Sequence, residues 1–217
     1  MSNTDSFIEE VTEEVRRDRL FAFFRKYGWL LVLAAVAVVG YTAWNQYRIA
    51  QEQKAARAFG DAVSAAELVK DPTARVKALE AIKATGGREA VLKLLIASYA
   101  VQAGDTKTAD AALQAVAANG KLAPRLRDLA ALKQIMTAGA SMDAAAKEAA
   151  LGALSQAGRP YRPLALEQLA LLKVQTGDTQ GAIKAFKELL QEPGLTQALR
   201  QRATSMIVAL GGNPAAG

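Results

Sequence analysis

An all-α fold is predicted by three features of this sequence: an alanine-rich composition poor in proline and aromatics, one uninterrupted apolar segment near the N-terminus, and a six-residue motif that returns further along. The 217 residues include 47 alanines against 6 prolines, 6 phenylalanines and 5 tyrosines. Alanine loses no side-chain entropy in a helix, so this balance favours closely packed helices over sheet. Neither cysteine nor histidine occurs. Thiol nucleophiles, disulfides, the commonest metal ligand and the usual neutral-pH general base are therefore missing together. No catalytic residue, cofactor or metal is expected.

The first element is a tail, residues 1–26, with 5 basic and 6 acidic residues, whereas the remainder carries 22 basic and 15 acidic ones. A helix is expected over residues 5–26, starting at Ser6, whose hydroxyl caps the first turn while Glu9 reaches back. Phe7, Val11 and Val15 recur at fourfold spacing. Two readings stay open: an amphipathic docking or membrane-surface helix, or a solvated juxtamembrane helix that only sets topology.

Residues 27–47 are 21 positions without a charge, enough at about 1.5 Å per residue to cross about 30 Å of hydrocarbon. One transmembrane helix is predicted, in contact with membrane lipid. Tyr27 and Trp29 stand at one end and Tyr41, Trp44 and Tyr47 at the other, where amphipathic rings prefer the headgroup boundary. Ala35-Val36-Ala37 would suit a signal peptidase, but it lies inside the apolar run, behind a 26-residue leader with six acids. An uncleaved anchor fits better than a signal peptide. Arg16, Arg17, Arg19, Arg25 and Lys26 precede the segment, and Arg48, Lys54 and Arg57 follow it. That bias predicts a single-pass membrane protein with a cytoplasmic N-terminus and its larger C-terminal part outside the cytoplasm.

Residues 48–87 read as a helical extension and a first hairpin. No proline interrupts Arg48 to Lys70, so the membrane helix is expected to run on, turning Phe59, Val63, Ala66 and Val69 inward. Asp71-Pro72 and Gly86-Gly87 then punctuate the chain, as do Asn119-Gly120, Pro124, Gly158-Arg159-Pro160 and Gly211-Gly212-Asn213-Pro214 further on.

Residues 88–194 are read as repeats. Val101-Gln102-Ala103-Gly104-Asp105-Thr106 returns as Val174-Gln175-Thr176-Gly177-Asp178-Thr179, about two helix-pair units later. In each unit a first helix ends at the glycine in a left-handed turn and a second begins after Asp and Thr, good capping residues. Ala109 and Ala182 let the paired helices approach, and Leu113 and Phe186 fill the space a turn later. A degenerate middle copy is expected around Ala138-Gly139, with Ala144 matched to Ala109 and Ala182, and Glu148 at the aromatic position. Residues 195–217 supply a capping helix, with Leu195, Leu199, Met206 and Ile207 covering the last repeat face, and a short tail.

Leu169, Ala170, Gly177, Ala182 and Phe186, preceded by Ala97, Gly104, Ala109 and Leu113 in the earlier copy, resemble the tetratricopeptide repeat. That pattern has a large and a small apolar residue in the first helix, a turn glycine, a small residue five later and an aromatic four beyond it. The resemblance implies an α-solenoid of helical hairpins.

Chemistry finds no foothold elsewhere. Glu9/Glu10 and Glu13/Glu14 are neighbours on a helix and do not face one another. Gly86-Gly87 lacks the Lys-Ser/Thr of a phosphate loop. Cations are scattered without clustered aromatics, which points away from nucleic acid.

Taken whole, the tail from Asp5-Ser6-Phe7-Ile8-Glu9-Glu10-Val11 through Arg16-Arg17-Asp18-Arg19-Leu20-Phe21, the anchor and the degenerate repeats resemble the YfgM-like family of ancillary Sec-translocon subunits, in its alphaproteobacterial form. The resemblance implies a bacterial inner-membrane protein with its C-terminal domain in the periplasm, an accessory that meets the translocon, a membrane-anchored periplasmic chaperone and unfolded exported polypeptides. A structural subunit or assembly factor of another inner-membrane complex, for example a respiratory one, is the alternative expectation.

Overall fold

Capping side chains and first-turn prolines set most helix starts in the computed structural model, which describes residues 3–214, with side chains from Arg25 onward except that of Ala140. Nine α-helices occur among the described residues: α1 (Asn3–Glu67), α2 (Pro72–Glu80), α3 (Gly87–Gln102), α4 (Thr106–Ala117), α5 (Pro124–Thr137), α6 (Ala144–Leu154), α7 (Arg162–Gln175), α8 (Thr179–Leu190) and α9 (Gln197–Ala209). The fold is all-α, as the composition predicts. The chain divides into two compact units, Met1–Ala58 and Phe59–Gly217.

In the first unit the helix starts at Asn3, so Ser6 lies inside it and is not its N-cap. Asn3, Thr4 and Asp5 tolerate a helical first turn as well as Ser6 does, which moves the start by three residues. The side chains that would make an amphipathic face before Arg25 lie outside the described residues. From Arg25 onward α1 is long and apolar enough to cross a membrane by length and composition, and none of that apolar window is buried. Trp29, Val36, Tyr41 and Trp44 are all more than 60% exposed, a cost that water would not tolerate but hydrocarbon would remove. α1 continues without a break through Arg48 to Glu67.

In the second unit helices pair in chain order, α3 with α4, α5 with α6, and α7 with α8, while α2 packs on α3 and α9 on α8. The repeated motif becomes a repeated hydrogen-bond pattern. At the end of α3 the Gly104 N–H donates to the Val101 carbonyl and the Asp105 N–H to that of Ala100; at the end of α7, Gly177 donates to Val174 and Asp178 to Lys173. Gly104 and Gly177 have φ of 76° and 82°, a left-handed geometry that a Cβ would strain. The next residue then caps the second helix: Asp105 accepts from the Thr108 N–H at 3.0 Å and Asp178 from the Gly181 N–H at 2.8 Å. Asp143 does the same for α6 through Ala146 at 2.7 Å. Asp178→Ala is expected to cost about 1 kcal/mol, seen as faster amide exchange in the first turn of α8.

Small residues govern the spacing within each pair. Ala97, Ala109, Ala170 and Ala182 are all at most 2% exposed, so backbones approach closely in α3/α4 and α7/α8. The middle pair departs from the sequence expectation. A 3₁₀ turn, Gly139–Ser141, separates the turn glycine from the cap Asp143, whereas in the other copies the cap follows the glycine directly. Helix phase is counted from the cap, so Leu151, not Glu148, is the equivalent of Leu113 and Phe186, and Lys147, not Ala144, takes the place of Ala109 and Ala182. Leu151 is buried, while Ala144 and Glu148 are exposed. The Lys147 ammonium folds back onto the Gly139 carbonyl. With Leu132 and Lys147 where the flanking pairs have alanine, α5 and α6 pack less extensively than the other two pairs.

The apolar core is a chain of three clusters. Ala66 at the end of α1, with Phe59 and Val63 beside it, packs with α2, α3, α4 and the start of α5. Leu132, Ile135, Leu151, Leu154 and Ala165 join α5, α6 and α7. Phe186 and Leu189 meet Leu199, Ala203 and Ile207 of α9. Each cluster touches only its neighbours in sequence order, the arrangement of a stacked, quasi-one-dimensional array. α9 ends as the first helices do, with Gly211 donating to Val208 and Gly212 to Ile207, so it is the first half of a fourth unit.

Candidate functional site

First helices of successive units meet each other as well as their own partners. α3 contacts α5 directly, and the Lys133 ammonium of α5 donates to the Ser98 hydroxyl of α3 at 3.2 Å. Between α7 and α9, Arg202 grips Glu167 with two parallel bonds, 2.7 Å and 2.9 Å. α3, α5, α7 and α9 thus form one layer, with α4, α6 and α8 as the other.

The first-helix layer carries an apolar row. Three residues before each turn glycine stand Val101, Met136, Val174 and Val208. Val101, Met136 and Val208 are 41%, 55% and 58% exposed, and Val174 is half-buried. Single exposed apolar residues are ordinary on a protein surface. A row at one register position in four consecutive first helices is not, because three of its members, Val101, Met136 and Val208, stay exposed while Val174 alone packs partly against the core.

Polar groups fix this layer in place. Glu167 and Asp128 are each 6% exposed as residues, and both carboxylates are paired: Glu167 with Arg202, and Asp128 with Arg159 at 2.8 Å. Arg162 of α7 clasps Glu192, just past α8, at 2.8 Å and 2.9 Å. The hydrogen bonds from Arg162 hold the Glu192 carboxyl below the usual carboxylate range, and Glu192 in turn raises Arg162. A lowered carboxylate stabilises the fold at neutral pH, and that contribution fades as pH falls through the lowered value. Glu192→Gln is therefore expected to be less stable than the native chain at pH 7, with the gap closing in acid; thermal melts by circular dichroism across pH 7 to about pH 3 would show it. Further along the layer, Tyr99 donates to Glu67 at 2.9 Å, which raises the phenol, and Arg75 lies over its ring at 4.8 Å.

The sequence matches the tetratricopeptide repeat-like domain over residues 22–206. The chain belongs to this family. The match begins ahead of the apolar segment and ends within α9, so the family pattern covers that segment as well as the helical pairs. No curated protein and no solved structure matches the chain significantly. A tetratricopeptide repeat-like domain is a protein–protein interaction scaffold, its stacked helix pairs offering an extended surface in place of a deep pocket. No group of three or more Cys, His, Asp or Glu residues able to hold a metal occurs among the described residues.

Leu169, Ala170, Gly177, Ala182 and Phe186 fall in α7, its turn and α8, and Ala97, Gly104, Ala109 and Leu113 at the equivalent places in α3, its turn and α4. All but Leu169 and the two glycines are buried, within the packing of their helical pairs. Tyr27, Trp29, Tyr41, Trp44 and Tyr47 are exposed along α1. Sequence reasoning missed the three carboxylate–arginine pairs, whose partners lie 30 to 35 positions apart with no periodic signal. It also missed the apolar row, which emerges only when Gly211 is recognised as a fourth turn glycine.

Proposed function

We propose that this protein is a non-enzymatic, membrane-anchored scaffold that holds partner polypeptides along the first-helix layer of its repeat-like domain. The apolar row Val101, Met136, Val174 and Val208 carries the reading. It offers regularly spaced contacts to an extended or helical segment, and Lys133 beside it favours a segment with carboxylates.

Residues 27–47 serve as a single inner-membrane span, with Tyr27 and Trp29 at one boundary and Tyr41, Trp44 and Tyr47 at the other. The five-to-three bias of Lys and Arg supports a cytoplasmic tail and a periplasmic domain. The resemblance to YfgM-like proteins supports the Sec translocon and a membrane-anchored periplasmic chaperone as neighbours, with newly exported polypeptides as clients along the apolar row.

Photocrosslinking in cells from probes at Val101, Met136 and Val208 tests this, with Lys184 on the exposed side of α8 as the control position. The row probes are expected to capture translocon subunits and many unfolded exported chains, and the control neither. Capture of one membrane complex in constant ratio would replace this reading with that of a structural subunit or assembly factor.

A further inference from the structure

α3 and α5 both run antiparallel to α4, because each joins it through a short connection and packs along it. The first turns of α3 and α5 therefore meet the last turn of α4 at one end of the array. Lys83 and Arg88 from the α2–α3 connection and α3, and Lys121, Arg125 and Arg127 from the α4–α5 connection and α5, all belong to that end. Lys83, Arg88, Lys121 and Arg125 are exposed, and none of their side chains hydrogen-bonds or ion-pairs with another described residue, the Lys121 backbone N–H alone donating to Asn119 Oδ1 at 3.1 Å. Arg127 is half-buried and its Nε is sealed from solvent without a partner.

Acidic neighbours do not cancel this charge. Residues 111–127 contain no Asp or Glu. Glu89 is engaged by Lys93 at 3.5 Å and Asp128 by Arg159 at 2.8 Å, which leaves Glu80 at the end of α2. Nor does the fold ask for cations here. Arg88 and Arg125 are the second residues of their helices, where the positive end of the macrodipole disfavours them. At the opposite end Asp105 and Asp178 cap their helices in agreement with the dipole.

We infer that this basic end docks on anionic phospholipid headgroups of the membrane in which the chain is anchored. The inference rests on reading residues 27–47 as a membrane span. Only residues 48–58 separate that segment from the second unit, about 16 Å of helix, so the basic end stays at high effective concentration near the bilayer and weak contacts suffice. Each Lys or Arg at an anionic surface strengthens association roughly fivefold, and salt weakens it. The four exposed cations and Arg127 match a phosphate-bearing plane in charge, and arginine pairs with phosphate in two-pronged fashion.

The chain has no cysteine, so a single engineered one gives a unique label. The full chain carrying Ala118→Cys with a fluorophore would be placed in nanodiscs of phosphatidylcholine alone, or of phosphatidylcholine with phosphatidylglycerol, each containing a headgroup-attached quencher. Quenching is expected to be stronger in the phosphatidylglycerol discs, to fall with added salt, and to drop more than about tenfold in apparent association when Arg88, Lys121 and Arg125 are replaced by Glu. A label at Lys107→Cys, at the opposite end, should show no difference between discs. Equal quenching in both discs, or quenching indifferent to the three substitutions, overturns the inference. Retention of the label by disc-bound protein while added polyglutamate, not lipid, alters its signal would assign the surface to an acidic polypeptide instead. Failure of the chain to co-elute with discs of either kind is a separate readout, and it overturns the membrane span and this docking together.

Discussion

Phe186→Ala is expected to destabilise the repeat-like domain by about 3–5 kcal/mol, the largest effect of any single truncation in the second unit. The ring is fully buried and sits where α7, α8 and α9 converge, against Ala170, Leu199, Ala203 and Ile207. Alanine loses the transfer energy of the ring and leaves a cavity that rigid helix backbones fill only partly. Because each core cluster touches only its neighbours, the loss should stay local first. Amide exchange ought to rise in α7, α8 and α9 well before it rises in α3 and α4, and a uniform rise would contradict a stacked array. Exchange is the suitable probe, since Trp29 and Trp44 lie in the apolar stretch of α1 and tryptophan emission is blind to the second unit. Phe186→Leu should cost less than about 1.5 kcal/mol, as Leu113 already occupies the equivalent position in α4, 1% exposed.

Ala182→Trp tests the helix register with the opposite kind of insult. Ala182 is fully buried between α7 and α8, and a large side chain there must force the two backbones apart. A loss of about 3 kcal/mol is expected. Ala144→Trp is the decisive companion. A match counted from the turn glycine makes Ala144 the counterpart of Ala182, and the substitution would then be as damaging. Counted from the cap Asp143, Ala144 is the exposed first residue of α6 and the change should fall within about 0.5 kcal/mol. Chemical denaturation followed by far-ultraviolet circular dichroism separates the two outcomes.

Most of the architecture was legible because it is written in local chemistry. Gly104 and Gly177, each followed by a capping Asp, mark turns that hold only six residues, and a periodic pattern within so short a span survives in the sequence. The uninterrupted run from Arg48 to Glu67 was legible for the same reason: no proline interrupts it, and Gly60 alone weakens a helix without ending it. The middle unit was misread because its information is relational. Alanine is so common here that Ala144 matched by spacing alone, and the 3₁₀ turn at Gly139–Ser141 shifts the phase without changing composition. The carboxylate–arginine pairs are illegible for a related reason. Glu167 looks like any helix-surface acid until Arg202, in a different unit, is folded against it.

The half-unit at the C-terminus has an evolutionary consequence. Gly177 and Gly211 are 34 positions apart, and α9 presents to α8 the same kind of surface that a first helix presents to the pair before it. An in-frame duplication of such a block ahead of α9 would stack without disturbing either junction. Array length is thus a quantity that gene duplication could change in discrete steps.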